Sequence, residues 1–462
     1  MFEAKTYIER RKKLREKING GIILLPGNDE APMNYSANTY RFRQDSNFLY
    51  FFGLKQPGLF GLIDVDKDED ILFGDDYEIE EIIWVGPQPK MIERAGKCGI
   101  KKVLPISGLE KTVQDAIQQG RKVHFAPPYR GATFFHLEKL LGIAPSRQKE
   151  YASLELIHAI AEQRIIKSKE EIKEIEQMVD VAHKMHTTVM KSARPGVMER
   201  EIAGKIEGIA LSYGAGVSFP IILSVHGEIL HNHYHGNVLR DGKMLVVDAG
   251  AESEMGYASD ITRTIPVSGK FSDKQKDIYQ IVLDANLKAT ELSAPGIPYQ
   301  EVHLEAARVI ASGLKNLGLM KGNVEDAVNE GAHALFFVHG LGHLMGLDVH
   351  DMEGLGENNF GYDEEIKRSN KFGTAYLRFG NKLKAGMVVT NEPGIYFIPS
   401  LIQLWEEDKK FSDFIQYDKV HEYLNFGGIR IEDDILITPT SCRVLGNPIP
   451  KSISEVESTM KR

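Results

Sequence analysis

Residues 338–353 read VHGLGHLMGLDVHDME, the densest cluster of chemically versatile side chains in the sequence. The segment holds His339, His343, His350 and Asp351, although all 462 residues include only 15 histidines. The interspersed glycines let the backbone approach a bound group closely. An imidazole among carboxylates favours Mn, Co, Zn or Fe, whereas Mg and Ca prefer oxygen ligands alone. The segment therefore predicts a metal or catalytic site.

Two carboxylates stand at predicted strands upstream of this segment. The run KMLVVDAG is continuously apolar, is typical of a buried strand, and ends in Asp248. In SDITRT, strand alternation places Asp260 and Thr262 on one face and the isoleucines on the other. Both acids are thus predicted where a lone charge is costly.

Two further carboxylates follow downstream. MVVTNEPGIYF places Glu392 directly before Pro393, where the strand should break or turn. In GIRIEDDI, Arg430, Glu432 and Asp434 share one face of a predicted half-buried strand. A single such acid is usually a surface group, a cap or half of an ion pair. Four converging carboxylates resist ionising together unless cations lie between them, so we interpret the set as a metal site.

A second histidine cluster, HNHYH, covers residues 231–235. It is either a functional cluster or one of two ordinary features, an exposed polar loop or an adventitious metal site. The residues alone do not separate these alternatives.

Composition limits the function classes. The 65 acidic and 56 basic residues give a net charge of -9 without a basic block, so nucleic acid is not an expected partner. Only Cys98 and Cys442 occur, which is too few for a disulfide framework. The N-terminus lacks the apolar core of a secretory signal, and no apolar run reaches membrane-spanning length. We expect a cytoplasmic protein with no membrane partner.

The pattern along the chain predicts two domains, 1–165 and 166–462. In the first, the runs GIILLPG, LFGLIDVD, EIIWVG and KVHFAPP are predicted strands that alternate with helices such as 109–119, which indicates an α/β domain. Ser168 and Glu171 form a predicted capping box that starts a long helix. Amphipathic stretches at 272–293 and 299–317 alternate with short strands, which predicts a larger α+β domain.

The segment HGLGHLMGLDVHD resembles the signature of the "pita-bread" metallopeptidases, and VVDAG, SDITRT, NEPGIYF and GIRIEDD are similar to further motifs of that family, in the family's order. They are most similar to the proline-specific branch that contains aminopeptidase P (Xaa-Pro aminopeptidase) and prolidase (Xaa-Pro dipeptidase). RFRQDSNFLYFFG and LFGLIDVD also look like the N-terminal domain of that branch. The resemblance implies an α/β two-domain fold, with a small N-terminal creatinase/prolidase-type domain and a C-terminal α+β pita-bread catalytic domain.

The resemblance also implies the site residues. It assigns five metal ligands, of which Asp260 and Glu432 bridge two ions: Asp248, Asp260, His343, Glu392 and Glu432. The implied ions are two divalent metals per chain, Mn²⁺ first, with Co²⁺, Zn²⁺ or Fe²⁺ as alternatives. It places on the substrate side His231, His339 and His350, with Arg430 supporting the site beside Glu432.

The implied reaction is hydrolysis of the Xaa-Pro bond at the N-terminus of a dipeptide or short peptide by a hydroxide shared between the metals. His339 or His350 would donate a hydrogen bond to the oxyanion, and Glu392 is a candidate proton shuttle. The long segment after Glu392 looks more like prolidase, and Arg378 lies where similar prolidases carry an arginine for the dipeptide carboxylate. We therefore favour a dipeptidase over an aminopeptidase acting on longer peptides.

Three relatives of other function share this fold. A non-catalytic binding protein and a metal-free creatinase-like hydrolase are disfavoured because all five ligands are present. Methionine aminopeptidase shares the ligands but typically lacks the large N-terminal domain. The family further implies a homodimer or homotetramer.

Overall fold

The computed structural model describes residues 1–461, which divide into two compact units, Met1–Arg164 with Met352–Asn359, and Ile165–Asp351 with the described residues from Phe360 onward. The inclusion of residues 352–359 in the first unit has no signal in the sequence pattern. Within residues 1–461, no helix combines the length and the apolarity needed to cross a membrane.

The first unit is an α/β layer around one five-stranded sheet with strand order β4-β3-β2-β1-β5. Its strands are β1 (Ile22–Pro26), β2 (Phe60–Asp64), β3 (Glu69–Phe73), β4 (Lys102–Leu104) and β5 (Val123–His124). Its helices are α1 (Ala4–Glu16), α2 (Ser46–Phe52), α3 (Ile79–Val85), α4 (Met91–Gly96), α5 (Leu109–Gln118), α6 (Gly131–Leu141), α7 (Gln148–Tyr151) and α8 (Leu154–Arg164).

A buried arginine connects α1 to the rest of this unit. The Arg11 guanidinium donates to Asp70 Oδ2 at 2.7 Å, to the Phe51 carbonyl at 2.7 Å and to the Cys98 carbonyl at 2.9 Å. Such complete pairing is what allows an arginine side chain to be fully buried.

The prediction that EIIWVG forms a strand is wrong, because these residues lie in the helix α3. Short apolar runs do not distinguish strand from buried or amphipathic helix by periodicity. Here a capping box between Glu78 and Glu81 starts the helix, with the Glu78 N–H donating to Glu81 at 2.9 Å. The run pairs with neither edge of the sheet.

The second unit contains the remaining elements. Its helices are α9 (Lys169–Ser192), α10 (Glu199–Tyr213), α11 (Asp273–Leu292), α12 (Tyr299–Asn316), α13 (Val324–Glu330), α14 (Pro399–Glu407), α15 (Tyr417–Val420) and α16 (Ile453–Met460). Its strands are β6 (Gly216–Val217), β7 (Ile222–Ser224), β8 (Met244–Asp248), β9 (Ala251–Glu252), β10 (Thr262–Pro266), β11 (Val388–Asn391), β12 (Gly394–Tyr396), β13 (Gly428–Arg430), β14 (Asp433–Ile437) and β15 (Cys442–Val444).

These strands form small antiparallel sheets, β10-β8-β7, β11-β14-β15, β12-β13 and β6-β9. The predicted capping box is confirmed, since Ser168 Oγ accepts from the Glu171 N–H at the start of α9. The two amphipathic stretches are the helices α11 and α12, as the periodicity predicts.

The segment GIRIEDDI differs from the prediction of one half-buried strand. It forms two strands, β13 and β14, with Glu432 between them, and residues 428–437 are buried throughout. The chain leaves β13 because the Glu432 N–H donates to the Thr262 carbonyl of the neighbouring strand at 3.0 Å. The break places the Glu432 side chain among the other acids.

Candidate metal centre

Two neighbouring strands bring Asp248 and Asp260 together. Asp248 is the last residue of β8 and stands opposite Thr262 in the pairing with β10. Asp260 lies just before β10, and its N–H donates to Asp434 Oδ2 at 3.0 Å. Both carboxylates are buried. The close approach of backbone here requires glycine at 250, since a Cβ there would collide with the Ser259 carbonyl.

Glu392 and Glu432 also sit at strand breaks. β11 ends at Asn391, and Pro393 interrupts the strand before β12 begins, as its missing N–H predicts. Thr390 Oγ1 lies 3.3 Å from Glu392 Oε1, and Thr262 Oγ1 donates to Glu432 Oε2 at 2.6 Å. Threonine hydroxyls, one from β10 and one from β11, thus orient both carboxylates.

His343 presents one ring nitrogen to these acids. Its Nδ1 lies 3.0 Å from the Leu344 carbonyl, and because a carbonyl only accepts, Nδ1 carries the proton. Nε2 therefore bears a lone pair, and it lies 3.4 Å from Asp260 Oδ2 and 3.6 Å from Glu392 Oε1. A neutral histidine with its second nitrogen fixed by a backbone carbonyl has the arrangement of a metal ligand.

Burial and mutual repulsion disfavour ionisation of the acids. Burial and the charges of Glu432 and Asp248 raise the pKa of Asp260 well above its ordinary value. The pKa of Glu432 is raised in the same way by burial, Glu392 and Asp248. Burial raises the pKa of Glu392 to about 8, and the opposing effect of the Arg430 charge offsets only part of this rise.

The next residue, Asp433, provides an internal comparison. Burial would raise the pKa of Asp433, but Arg263 and Lys451 hold it well below its ordinary value. Arg263 Nη2 lies 2.7 Å from Oδ1, and Lys451 Nζ lies 2.6 Å from Oδ2. The chain neutralises Asp433 with its own cations and leaves Glu432, one residue earlier, without an equivalent set.

The residues fit a divalent metal. Asp260, His343 and Glu432 each offer a ligand atom, and these atoms all lie within 4.8 Å of one another. Oδ1 of Asp248 and Oδ1 of Asp260 are buried, and neither has a hydrogen-bond partner among residues 1–461. Four carboxylates and one imidazole form the mixed oxygen and nitrogen set that borderline divalent ions prefer.

A cavity of about 810 Å³ opens onto this cluster. All ten predicted site residues line it: His231, Asp248, Asp260, His339, His343, His350, Arg378, Glu392, Arg430 and Glu432. The structure therefore brings together residues from widely separated parts of the sequence, including His231 of the HNHYH cluster and Arg378.

Arg430 connects the acids to His339. Its guanidinium donates to Asp248 Oδ2 at 2.7 Å, to Tyr396 Oη at 2.8 Å and to Thr262 Oγ1 at 3.1 Å. Tyr396 Oη lies 2.9 Å from His339 Nε2. The tyrosine was not predicted as a site residue, although it lies in NEPGIYF.

The hydrogen bonds of His339 bear on the expectation that it donates to an oxyanion. Its Nδ1 lies 2.8 Å from the Gly340 carbonyl and must carry the proton, so Nε2 accepts from Tyr396. Burial and Arg430 lower the pKa of His339 to about 3, which keeps the ring neutral. In this arrangement His339 has no further N–H to offer an oxyanion.

Other cavity residues gave no separate signal in the sequence. Phe219, Ile222, Leu230 and Val338 supply apolar walls, and Tyr376 stands near Arg378 in the lining. No sequence period marks these residues because they come from loops and strand ends.

Two segments match described families. Residues 173–439 match Metallopeptidase family M24, and residues 7–124 match the Aminopeptidase P, N-terminal domain. The chain is 32% identical to the Xaa-Pro aminopeptidase of Escherichia coli (strain K12), over 98% of this chain and 96% of that protein. It is 28% identical to the Xaa-Pro dipeptidase of Homo sapiens, over 98% of this chain and 91% of that protein.

Solved structures are similar over the same extent. Zn-substituted E. coli aminopeptidase P in complex with product has a TM-score of 0.82 at 29% identity, covering 99% of this chain and 98% of that one. Pseudomonas aeruginosa aminopeptidase PepP has a TM-score of 0.81 at 28% identity, with the same coverage. The predicted α/β two-domain fold class and the family resemblance are confirmed.

In protein stripped of divalent cations, we expect thermal stability to fall as the pH rises from about 6.5 to about 8. Glutamate ordinarily titrates near 4.5 but Glu392 at about 8, so in this window the folded protein holds a proton that the unfolded chain has lost. Raising the pH removes that proton at a cost to the folded state. Thermal melts across the window check the direction.

The matched variant is Glu392→Gln, which cannot titrate and should flatten the dependence. Saturating Mn²⁺ should restore stability at the upper pH, by about 2.7 kcal/mol at 100 times its Kd. A melting temperature that rises through this window in the metal-free wild type would contradict the proposed crowding of acids.

Proposed function

The chain belongs to metallopeptidase family M24, in its Xaa-Pro aminopeptidase and prolidase group, and from this membership we propose that it cleaves the bond before a second-position proline with two divalent ions. The observation that carries the proposal is the buried acid cluster around His343 Nε2, in which Asp248 and Asp260 each keep an unpartnered oxygen. We propose that Asp248, Asp260, His343, Glu392 and Glu432 would hold the two ions.

When bound, the ions would polarise the scissile carbonyl and lower the pKa of water from about 15.7 toward neutrality. We favour Mn²⁺, with Co²⁺, Zn²⁺ or Fe²⁺ as alternatives, because the mixed ligand set accepts all four.

The chain's own residues then manage protons and charge. Burial raises the pKa of Glu392, so its side chain holds a proton readily. We propose that it carries a proton from the attacking water to the departing proline nitrogen. Proline has no amide N–H, so its nitrogen must gain a proton to leave. Arg430 holds Asp248 in position by donating a hydrogen bond to its Oδ2.

We assign the hydrogen bond to the oxyanion to His350 rather than His339. Both nitrogens of His339 are engaged, by Gly340 and Tyr396. The His350 ring packs 4.3 Å from the ring of His343, centroid to centroid, and lines the cavity. His339 then acts through Tyr396 to hold Arg430.

Substrate length is the finer question. Arg378 lines the cavity, where a guanidinium could bind the carboxylate of a dipeptide in a bidentate manner. This favours a dipeptidase. The second candidate is an aminopeptidase acting on longer peptides, which the similarity to solved aminopeptidase P structures favours. A non-catalytic binding protein is remote because the complete acid set surrounds the cavity.

Other expectations stay predictions: domain boundaries at 165/166, a homodimer or homotetramer, and a cytoplasmic location. None of them alters the chemistry proposed for the second unit.

We predict that His350→Ala lowers kcat by about 100-fold, since one oxyanion donor contributes about that much. His339→Ala should also reduce kcat because Tyr396 and Arg430 lose a partner. Elemental analysis should find unchanged metal content in both variants. The positive control is Asp260→Ala, which should lose metal. Metal loss in the histidine variants would show that they are ligands instead.

We predict that Arg378→Ala reduces kcat/KM for Ala-Pro by about thirtyfold or more, the usual effect of removing one member of a buried charge pair. Ala-Pro-Ala should lose much less, because its carboxylate lies one residue further on. The control is Lys382→Ala, which removes a cation that pairs with Glu365 at the surface. Equal losses on both peptides would reject the dipeptidase preference.

A further inference from the structure

One loop of the cavity wall has no regular structure of its own. Residues 225–237 follow β7 and form neither helix nor strand. The loop nevertheless carries Leu230, His231 and His233 into the cavity lining. An unsupported loop of this length would sample many conformations, so its conformation must be fixed by contacts with the rest of the unit.

A single buried carboxylate holds both ends of the loop. Glu199, the first residue of α10, is fully buried. Its Oε1 accepts from the Val225 N–H at 2.8 Å, and its Oε2 accepts from the Asn237 N–H at 3.1 Å and from Asn237 Nδ2 at 3.0 Å. Three N–H groups thus donate to this one side chain, two of them from the backbone at the two ends of the loop.

The turn of the same loop rests on the strand that leads to Arg430. A Cβ on Gly227 would lie 2.7 Å from the Gly428 carbonyl and 2.6 Å from Val246 Cγ2, so only glycine allows this approach. Asn232 Nδ2 also donates to Ser224 Oγ at 3.0 Å. The loop is thus held at its two ends by Glu199 and at its turn by β13.

We infer that Glu199 is a positioning residue that orders residues 225–237 so that His231 faces the substrate. The inference rests on the proposed function for the substrate role of His231, but the ordering itself does not. Fixing the loop before binding removes an entropic cost that the substrate would otherwise meet.

An alternative role for Glu199 is general stabilisation of α10 through the helix dipole. The same turn offers a matched control for that role. Glu201 has the same charge, and its Oε1 accepts from the Met198 N–H at 3.0 Å as part of a capping box. This hydrogen bond joins Glu201 to the start of α10, whereas those of Glu199 reach the loop.

The first experiment is amide hydrogen exchange followed by mass spectrometry on the full-length protein. Glu199→Ala should speed exchange across 225–237 by about tenfold or more, as the lost contacts open the segment locally. Glu201→Ala should leave exchange in the loop at the wild-type rate. If Glu199→Ala does not fold, Glu199→Gln, which keeps the volume but turns an NH₂ toward donors, takes its place. Unchanged exchange in the loop would overturn the inference.

The second experiment is a double-mutant cycle on Ala-Pro hydrolysis. Glu199→Gln and His231→Ala should each lower kcat/KM, and Glu199→Gln should add little once His231 is absent, because both changes remove the same interaction. Losses that multiply would show that Glu199 does not act through His231. If the wild type does not cleave Xaa-Pro bonds, the proposed function fails, and hydrogen exchange still decides whether Glu199 orders the loop.

Discussion

Four carboxylates in one buried cluster are the constraint on which the second unit depends. Each strand that reaches the cluster ends or breaks there, so that a side chain rather than a backbone ladder faces the others. Without added positive charge, the raised pKa values of Asp260, Glu392 and Glu432 describe a site in which ionisation is strongly disfavoured. A cation between the carboxylates removes that cost, so the fold is built around metal binding.

Protein cations surround this cluster without neutralising it. Arg430 pairs with Asp248 at its edge, and Arg263 lies behind Glu432, donating to its carbonyl at 2.6 Å and pairing with Asp433. These contacts fix the backbone and the outer oxygens and leave the inner oxygens available. Glu199 follows the same rule: its buried carboxylate oxygens are hydrogen-bonded within the chain, and its role is structural.

Much of this was readable from the sequence, because acids at the ends of apolar runs and caps before amphipathic stretches are local signals. Asp248, Glu392 and the capping box at Ser168 were predicted in this way. Contacts between residues distant in sequence could not be predicted from local pattern. Tyr396 is hydrogen-bonded to Nε2 of His339, and Glu199 contacts residues far along the chain. The run EIIWVG lies in a helix that begins at the capping box between Glu78 and Glu81, a local signal that the strand prediction overlooked.

The most direct measurement is the metal content of the purified chain, titrated against Ala-Pro hydrolysis. Protein stripped with a chelator and reconstituted with Mn²⁺ should bind about two ions per chain, and turnover should rise with occupancy. Protein that is folded but binds no divalent ion, or that hydrolyses Ala-Pro at full rate without one, would contradict a metal-dependent Xaa-Pro peptidase.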